Sequence, residues 1–272
     1  MSAVREAFER ARRSSRGALV AYLMGGDPDL DRSLEYAAAL VRGGADILEI
    51  GLPFSDPVAD GPIIQEAARR ALAAGTTPAG VLDLVRRLRE RTDVPILVMT
   101  YYNPVFVFGE ERFVAALRDV GGSGLIVPDL PAEESDGLRR ALDAAGLDLV
   151  QLVTPATGRD RAAGIARKSS GFLYVVSRYG TTGDREFDPQ RMRDLLASAR
   201  EGAGGLPVAV GFGIARPEQV ADVLLAGADG AVVGSAFVER IARRDTPADL
   251  EAFAHDLAAG LVPAVSNSHS QV

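Results

Sequence analysis

Short runs of apolar and β-branched residues recur along the chain, and a longer segment with apolar residues at helical spacing follows each of them. A short apolar run bounded by turn residues indicates a buried strand. The predicted strands are Ala18–Leu23, Ile47–Gly51, Pro95–Thr100, Gly124–Pro128, Asp148–Val153, Phe172–Val176, Pro207–Gly211 and Ala231–Gly234. Runs that are apolar almost throughout, such as Leu125-Ile126-Val127, are typical of a parallel sheet covered on both faces.

The intervening segments have one apolar and one charged face, which indicates helices. The predicted helices are Leu30–Arg42, Pro78–Arg91, Glu110–Val120, Glu133–Ala145, Asp160–Lys168, Pro189–Ala199, Pro217–Ala226 and Leu250–Ala259. Residues Val4, Phe8 and Ala11 lie at helical spacing within Met1–Ser15. This segment predicts an extra N-terminal helix that closes the bottom of the fold.

Eight strand–helix pairs predict an α/β fold, a closed (β/α)8 TIM barrel. We expect a single domain over residues 1–272, with a polar tail from about residue 266. A doubly wound open sheet has the same alternation. It is less favoured, because Leu23-Met24-Gly25-Gly26-Asp27 follows the first strand where a GxGxxG turn would stand.

Charge and composition reduce the classes of function that we expect. The formal net charge of −7 and the absence of a Lys/Arg cluster give no basic surface for nucleic acid. No apolar stretch approaches the roughly 20 residues of a membrane span, and Met1–Gly17 has no signal-peptide core, so we expect a cytoplasmic protein. The chain has no cysteine, and His255 and His269 lack ligand spacing. Neither a metal site nor a Ser-His-Asp triad is therefore predicted.

Two carboxylates stand where a barrel carries its active site, at the carboxyl ends of the strands. Glu49 interrupts the second apolar strand, and Asp60 lies in the loop that follows. A glutamate inside the barrel would be desolvated, and its raised pKa would suit acid–base catalysis. Glu49 could instead pair with an arginine at the wall, and Asp60 could serve turn geometry or helix capping.

Glycine-bearing loops follow the last three predicted strands, and a helix is expected to begin near Ser235. Glycines allow backbone N–H groups to surround an anion, and a helix amino terminus adds positive charge. This is the usual phosphate position in such barrels. The glycines could also serve turn geometry alone. The candidate phosphate-binding residues are Gly183, Gly213, Gly234 and Ser235.

Aromatic and apolar residues near other strand ends could form a slot for a planar ring. Packing of the barrel core requires the same residue types, so the pattern does not separate the two interpretations. The candidates are Tyr22, Thr100, Tyr101, Leu125, Tyr174 and Phe212.

The same loops resemble a known family. The segment from Glu49 to Gln65, EIGLPFSDPVADGPIIQ, closely resembles the signature of tryptophan synthase α chains. Further similar segments are Gly25–Pro28, Tyr101–Phe106, Pro128–Pro131, Val176–Gly183 and Gly211–Ile214. The resemblance extends from about Val4 to Val262.

This resemblance implies a lyase that cleaves indole-3-glycerol phosphate to indole and glyceraldehyde 3-phosphate by a retro-aldol reaction, without metal or organic cofactor. It implies that Glu49 shuttles a proton to C3 of the indole ring. It implies that Asp60 contacts the indole N–H and stabilises the positive charge that develops there. The family's phosphate contacts match the four glycine and serine positions given above.

The resemblance also implies a lid and a partner. Thr182 would contact the catalytic aspartate when the lid closes, and Tyr174 would lie near the glutamate. The partner is a pyridoxal phosphate-dependent β chain in an α2β2 complex, which receives indole through a tunnel. The segments Pro53–Pro62 and Asn103–Phe108 resemble the surfaces that contact it.

Some positions depart from the family pattern. Tyr22 stands where phenylalanine is expected, and Thr100 where leucine or methionine is usual. Tyr179 and Thr181 are unusual in the lid, and residues 154–158 also differ. These changes could alter the polarity of the ring pocket or the behaviour of the lid.

Three alternatives to the lyase subunit stay open on the sequence. One is an indole-releasing lyase that needs no β chain. Another is a phosphate-binding barrel such as a sugar-phosphate isomerase, which would not need Glu49 paired with Asp60. A third is a non-catalytic subunit that activates a β chain, against which the presence of both carboxylates argues.

Overall fold

The structure is a computed structural model that describes residues 1–154, 156–176, 189–211 and 213–262. Several sequence predictions lie outside these described residues. They concern Tyr179, Thr181, Thr182, Gly183, Phe212 and the tail from about residue 266.

Eight parallel strands form a closed barrel in which each strand pairs with the next and the last pairs with the first. The strands are β1 (Ala18–Met24), β2 (Ile47–Gly51), β3 (Ile96–Met99), β4 (Gly124–Ile126), β5 (Asp148–Val153), β6 (Leu173–Val176), β7 (Val208–Gly211) and β8 (Gly230–Val233). The predicted TIM barrel is confirmed, and the open sheet is excluded.

Twelve helices lie within the described residues. They are α1 (Ala3–Arg13), α2 (Leu30–Arg42), α3 (Pro62–Ala73), α4 (Pro78–Arg89), α5 (Tyr102–Phe108), α6 (Glu110–Asp119), α7 (Asp136–Ala145), α8 (Arg159–Arg167), α9 (Pro189–Ala203), α10 (Pro217–Leu225), α11 (Ser235–Ala242) and α12 (Pro247–Ala259). Helices α3 and α5 were not predicted. Each directly follows a loop at the carboxyl end of a strand, which is where a barrel places its active site.

The strands separate two cores, because successive residues of a strand point to opposite faces. One face packs against the surrounding helices, with Leu48 and Val98 among its members. The other face fills the barrel, with Val20, Ile47 and Leu97 among its members. The inward face therefore decides which side chains reach the mouth of the barrel.

Helix α1 closes the amino-terminal end of the barrel. Its residues Val4, Ala7, Phe8 and Ala11 are buried and belong to the inner core. The Phe8 ring lies 5.3 Å from the ring of Phe172, which immediately precedes β6. The predicted N-terminal helix is confirmed, and its apolar face fills the amino-terminal end of the barrel.

Candidate active site

Glu49 lies at the centre of β2, opposite Tyr22 of β1 and Leu97 of β3. It shares its face with the inward residue Ile47, and its side chain is only 1% exposed. Among the described residues no hydrogen-bond partner reaches its Oε2 atom and no arginine pairs with it. Within the described ranges, the structural ion pair that the sequence left open is therefore not formed.

Burial raises the pKa of Glu49 to about 8, and the nearby charge of Asp60 contributes to the rise. Burial acts in this direction because a carboxylate loses its hydration inside the barrel. At neutral pH Glu49 consequently carries its proton. It can donate that proton without first taking one from water.

Asp60 lies in the loop between β2 and α3, and several hydrogen bonds fix this loop. The Asp60 N–H donates to the carbonyl of Pro57 at 3.1 Å. The Gln65 side chain on α3 donates to the carbonyl of Asp60 at 2.9 Å and to that of Pro57 at 3.4 Å. Helix α3 begins directly after Gly61, with Pro62 in its first turn. The fixed φ of proline suits the first turn and helps to start the helix there. Sequence reasoning did not identify Gln65, although it closes the quoted signature.

Tyr101 connects the next strand to this loop. Its hydroxyl accepts the N–H of Ala59 at 2.9 Å and donates to the carboxyl group of Asp60. Its ring lies 5.4 Å from that of Phe54. Burial raises the pKa of Asp60 to about 6, although the Tyr101 hydrogen bond lowers it.

As the pH rises, the two carboxyl groups lose their protons one after the other. Asp60 ionises near pH 6 while Glu49 is still neutral, so the charge of Asp60 then opposes the ionisation of Glu49. Between about pH 6 and pH 8 the pocket therefore contains an anionic aspartate and a protonated glutamate. Different environments give two similar groups opposite roles.

Two tyrosine rings occupy the mouth because glycines leave room for them. A Cβ atom at Gly51 would collide with the hydroxyl of Tyr22, and one at Gly211 would collide with the hydroxyl of Tyr174. Burial raises the pKa of both phenols, and the two carboxyl groups raise it further. The structure thus brings five predicted residues into one pocket, namely Tyr22, Glu49, Asp60, Tyr101 and Tyr174.

The structure does not bring Thr100 to this pocket. On β3 the inward residues are Leu97 and Met99, so Thr100 follows the outward face of Val98. The Thr100 hydroxyl donates to the carbonyl of Tyr101 at 3.1 Å instead. The side chain that reaches the mouth from β3 is that of Met99, which packs against both the inner core and the group around Tyr22.

Leu125 likewise belongs to the outer core between the sheet and the helices. Its neighbour Ile126 faces the barrel interior. The expectation that Leu125 lines the ring pocket does not match this orientation.

Two of the glycine-bearing loops, those after β7 and β8, lie side by side at the mouth because these strands pair. Gly213 follows β7 with a φ of +79°, a conformation that favours glycine. Gly234 precedes Ser235, the first residue of α11, and β7 pairs with β8. The first N–H groups of α11 are thus at the mouth, where helix geometry leaves them free for an anion.

The described ranges contain no group of three histidine, aspartate or glutamate side chains that could hold a metal ion. In the same ranges every helix is too short or too polar to cross a membrane.

A protonated glutamate beside an ionised aspartate, at the carboxyl-terminal mouth of a (β/α)8 barrel, defines the class of this protein. It is a barrel enzyme suited to general acid–base chemistry.

Comparison with known proteins gives the family. The family model of the tryptophan synthase alpha chain matches residues 8–261. The tryptophan synthase alpha chain of Methanosarcina barkeri is 48% identical over 259 residues, which cover 95% of this chain and 97% of the relative. That of Prochlorococcus marinus is 49% identical over 235 residues, with 86% and 85% covered. A solved tryptophan synthase from Mycobacterium tuberculosis superposes with a TM-score of 0.88 at 36% identity, with 96% of this chain and 98% of that chain covered.

The chain belongs to the tryptophan synthase alpha chain family. In this family the α chain is the lyase subunit of tryptophan biosynthesis, which cleaves indole-3-glycerol phosphate and passes indole to the β chain. The predicted resemblance is confirmed, and the sugar-phosphate isomerase is excluded.

Proposed function

We propose that Glu49 and Asp60 carry out the family's reaction in this chain, the cleavage of indole-3-glycerol phosphate to indole and glyceraldehyde 3-phosphate. Glu49 is the proton donor, and Asp60 is the anion that faces the indole N–H. The observation that carries this proposal is the pocket itself, in which Glu49 is buried with no partner for its Oε2 atom among the described residues and Asp60 accepts a hydrogen bond from Tyr101.

The proposed cleavage balances with one proton in transit. Glu49 protonates C3 of the indole ring, and the ring becomes an iminium ion that can accept an electron pair. The Asp60 carboxylate stabilises the positive charge at the ring nitrogen. The bond between C3 and the hydroxyl-bearing side-chain carbon then breaks, and its electrons restore the aromatic ring. The hydroxyl proton returns to Glu49, and the carbon becomes the aldehyde of glyceraldehyde 3-phosphate.

The phosphate of the substrate is proposed to lie against Gly213, Gly234 and Ser235. The pairing of β7 with β8 and the start of α11 at Ser235 support this placement. Anions bind at helix amino termini because unpaired N–H groups point towards them. On the sequence alone, the proposal also includes Gly183 as a fourth phosphate-binding residue, Thr182 in the lid and Phe212 in the pocket for the indole ring.

The rim of the mouth supports a contact with the β chain through the predicted segments Pro53–Pro62 and Asn103–Phe108. Val58 is 84% exposed, Phe106 is 65% exposed and Val107 is 75% exposed. Large apolar side chains grouped at one rim indicate a surface that a partner covers. We place the β chain there, in an α2β2 complex that encloses the path of indole.

We further propose that the chain acts in the cytoplasm as a single barrel domain. The packing of α1 into the barrel supports the single domain, because residues 3–13 then belong to the same core as the strands. Fractionation of cells that express the chain would test its location, and co-elution with a β chain on size-exclusion chromatography would test the proposed complex.

The test of the function is release of indole from indole-3-glycerol phosphate by the purified chain, with and without a β chain. We expect slow release alone and a sharp rise with the β chain, whereas fast release alone would indicate an independent lyase. Glu49→Gln should abolish cleavage while substrate still binds. Glu66→Gln is the matched control, because Glu66 is exposed on α3 and pairs with Arg69. Normal turnover by Glu49→Gln would end the assignment of the proton donor.

A further inference from the structure

Tyr22 lies on β1, between the proposed proton donor Glu49 on β2 and the proposed phosphate-binding residue Gly234 after β8. Its register partner on β2 is Glu49. On its other side Ala21 pairs with Val233 of β8, so Tyr22 adjoins Gly234. A Cβ atom built on Gly234 would lie 3.3 Å from Cδ1 of the Tyr22 ring.

The hydroxyl of Tyr22 reaches across the mouth towards β2. It lies against Gly51, which is two residues beyond Glu49 and on the same inward face. The phenol therefore lies on the mouth side of Glu49, close enough for the Glu49 charge to raise its pKa. Burial and the nearby carboxyl groups raise the pKa of Tyr22, so the hydroxyl keeps its proton at neutral pH.

The hydrogen bond that this hydroxyl makes is weak. Its acceptor is the sulfur atom of Met24 at 4.0 Å, and a thioether is a poor acceptor. Tyr22 is only 6% exposed, and a phenol buried to that extent normally has a strong partner. A ligand hydroxyl in the mouth would supply one.

The proposed function determines what lies above Tyr22, and the inference rests on it. With the indole ring at Glu49 and the phosphate at Gly234, the three-carbon linker of the substrate must cross the Tyr22 ring. This linker carries two free hydroxyl groups. We infer that the Tyr22 hydroxyl binds a hydroxyl of the glycerol linker and makes the enzyme selective for a hydroxylated substrate.

The test compares Tyr22→Phe with the unsubstituted chain on two ligands. One is indole-3-glycerol phosphate, measured as kcat/KM in the presence of the β chain. The other is 3-(indol-3-yl)propyl phosphate, which lacks both linker hydroxyls, measured as Kd by calorimetry. Loss of one neutral hydrogen bond should lower kcat/KM about 2- to 12-fold. The Kd of the propyl phosphate should stay within about twofold, since no linker hydroxyl is present to lose a partner.

Tyr36→Phe is the matched control. It also removes a buried tyrosine hydroxyl, but that of Tyr36 donates to the carbonyl of Asp245 at 3.0 Å, on the outer side of the barrel. It should change neither ligand parameter, although it removes a hydrogen bond from the fold.

Equal losses for both ligands in Tyr22→Phe would show that the hydroxyl serves only packing, and would overturn the inference. An unchanged kcat/KM would overturn it as well. Both outcomes leave the proposed function intact, because the unsubstituted chain still cleaves the substrate. Failure of the unsubstituted chain with its β chain to release indole would instead remove the proposed function, and the inference with it.

Discussion

Replacing Asp60 with asparagine should lower the pKa of Glu49. In the native pocket Glu49 must ionise beside an aspartate that is already charged, because Asp60 loses its proton near pH 6. Asparagine preserves the size of the side chain and removes its charge. One of the two causes of the raised Glu49 pKa then disappears, while the burial of Glu49 is unchanged.

The size of the change is bounded by the order of these causes. The pKa of Glu49 rises from 4.5 to about 8, and burial is the larger cause. More than half of that rise should therefore persist, which places the Glu49 pKa between about 6 and 8 in the Asp60→Asn chain. At pH 7 about 90% of Glu49 is protonated in the native protein, and this fraction should fall in the variant.

A titration followed by nuclear magnetic resonance measures this pKa without relying on activity. Carboxyl-labelled glutamate is incorporated into the chain, and the resonance missing from Glu49→Gln identifies Glu49. Its midpoint is then compared between the native chain and Asp60→Asn. Asp56→Asn is the control, because Asp56 lies on the same loop but is exposed and bonded by Ser55. It should leave the midpoint of Glu49 where it is.

Two results would refute this account. A native midpoint near the ordinary glutamate value of 4.5 would mean that Glu49 is not desolvated as described. A midpoint equal in the native and Asp60→Asn chains would mean that the two carboxyl groups do not interact.

Three further predictions concern stability, and urea unfolding measures each of them. Because folding raises the pKa of Glu49, its stabilising contribution is complete below pH 4.5 and is lost as the pH rises towards 8. Glu49→Gln should therefore match the native chain at pH 4 and be about 3 kcal/mol more stable at pH 7, and a pH-independent difference would contradict this. Arg70→Met should lower the free energy of unfolding by about 3 kcal/mol, because it leaves the charge of Asp27 buried and unpaired. Arg69→Met removes an exposed ion pair and should leave the free energy of unfolding unchanged. Phe8→Ala should lower the free energy of unfolding by about 3 to 5 kcal/mol, because it leaves a cavity between α1 and the barrel. A loss below about 1 kcal/mol would show that α1 is not part of the core.

The sequence was sufficient to predict the barrel and to single out Glu49. It was not sufficient to predict which way every strand residue points. Glu49 is recognisable because one carboxylate interrupts an apolar strand. The run Pro95–Thr100 is apolar on both faces, so its pattern cannot show whether Met99 or Thr100 points inward. That distinction appears only when Leu97 is seen to pair with Glu49.

The two unpredicted helices have a similar explanation. A pattern of eight strand–helix pairs assigns one helix to each strand, whereas α3 and α4 both lie between β2 and β3. Helix α5 has only seven residues, too few for a helical period to stand out from the aromatic residues that surround it. The order in which Glu49 and Asp60 ionise was also beyond the sequence, since it depends on burial and on contacts made in space.

The closure of the barrel determines when this active site can exist. The wall that holds the proposed substrate crosses the seam between β1 and β8, where Tyr22 adjoins Gly234. During synthesis, the chain up to Asp60 leaves the ribosome well before the last strand. A nascent chain therefore contains the two carboxyl groups before it contains the proposed phosphate-binding residues Gly234 and Ser235. A fragment that ends before β8 is therefore expected to have no cleavage activity, however well its early strands pair. The enzyme becomes competent at the same moment as the ring closes.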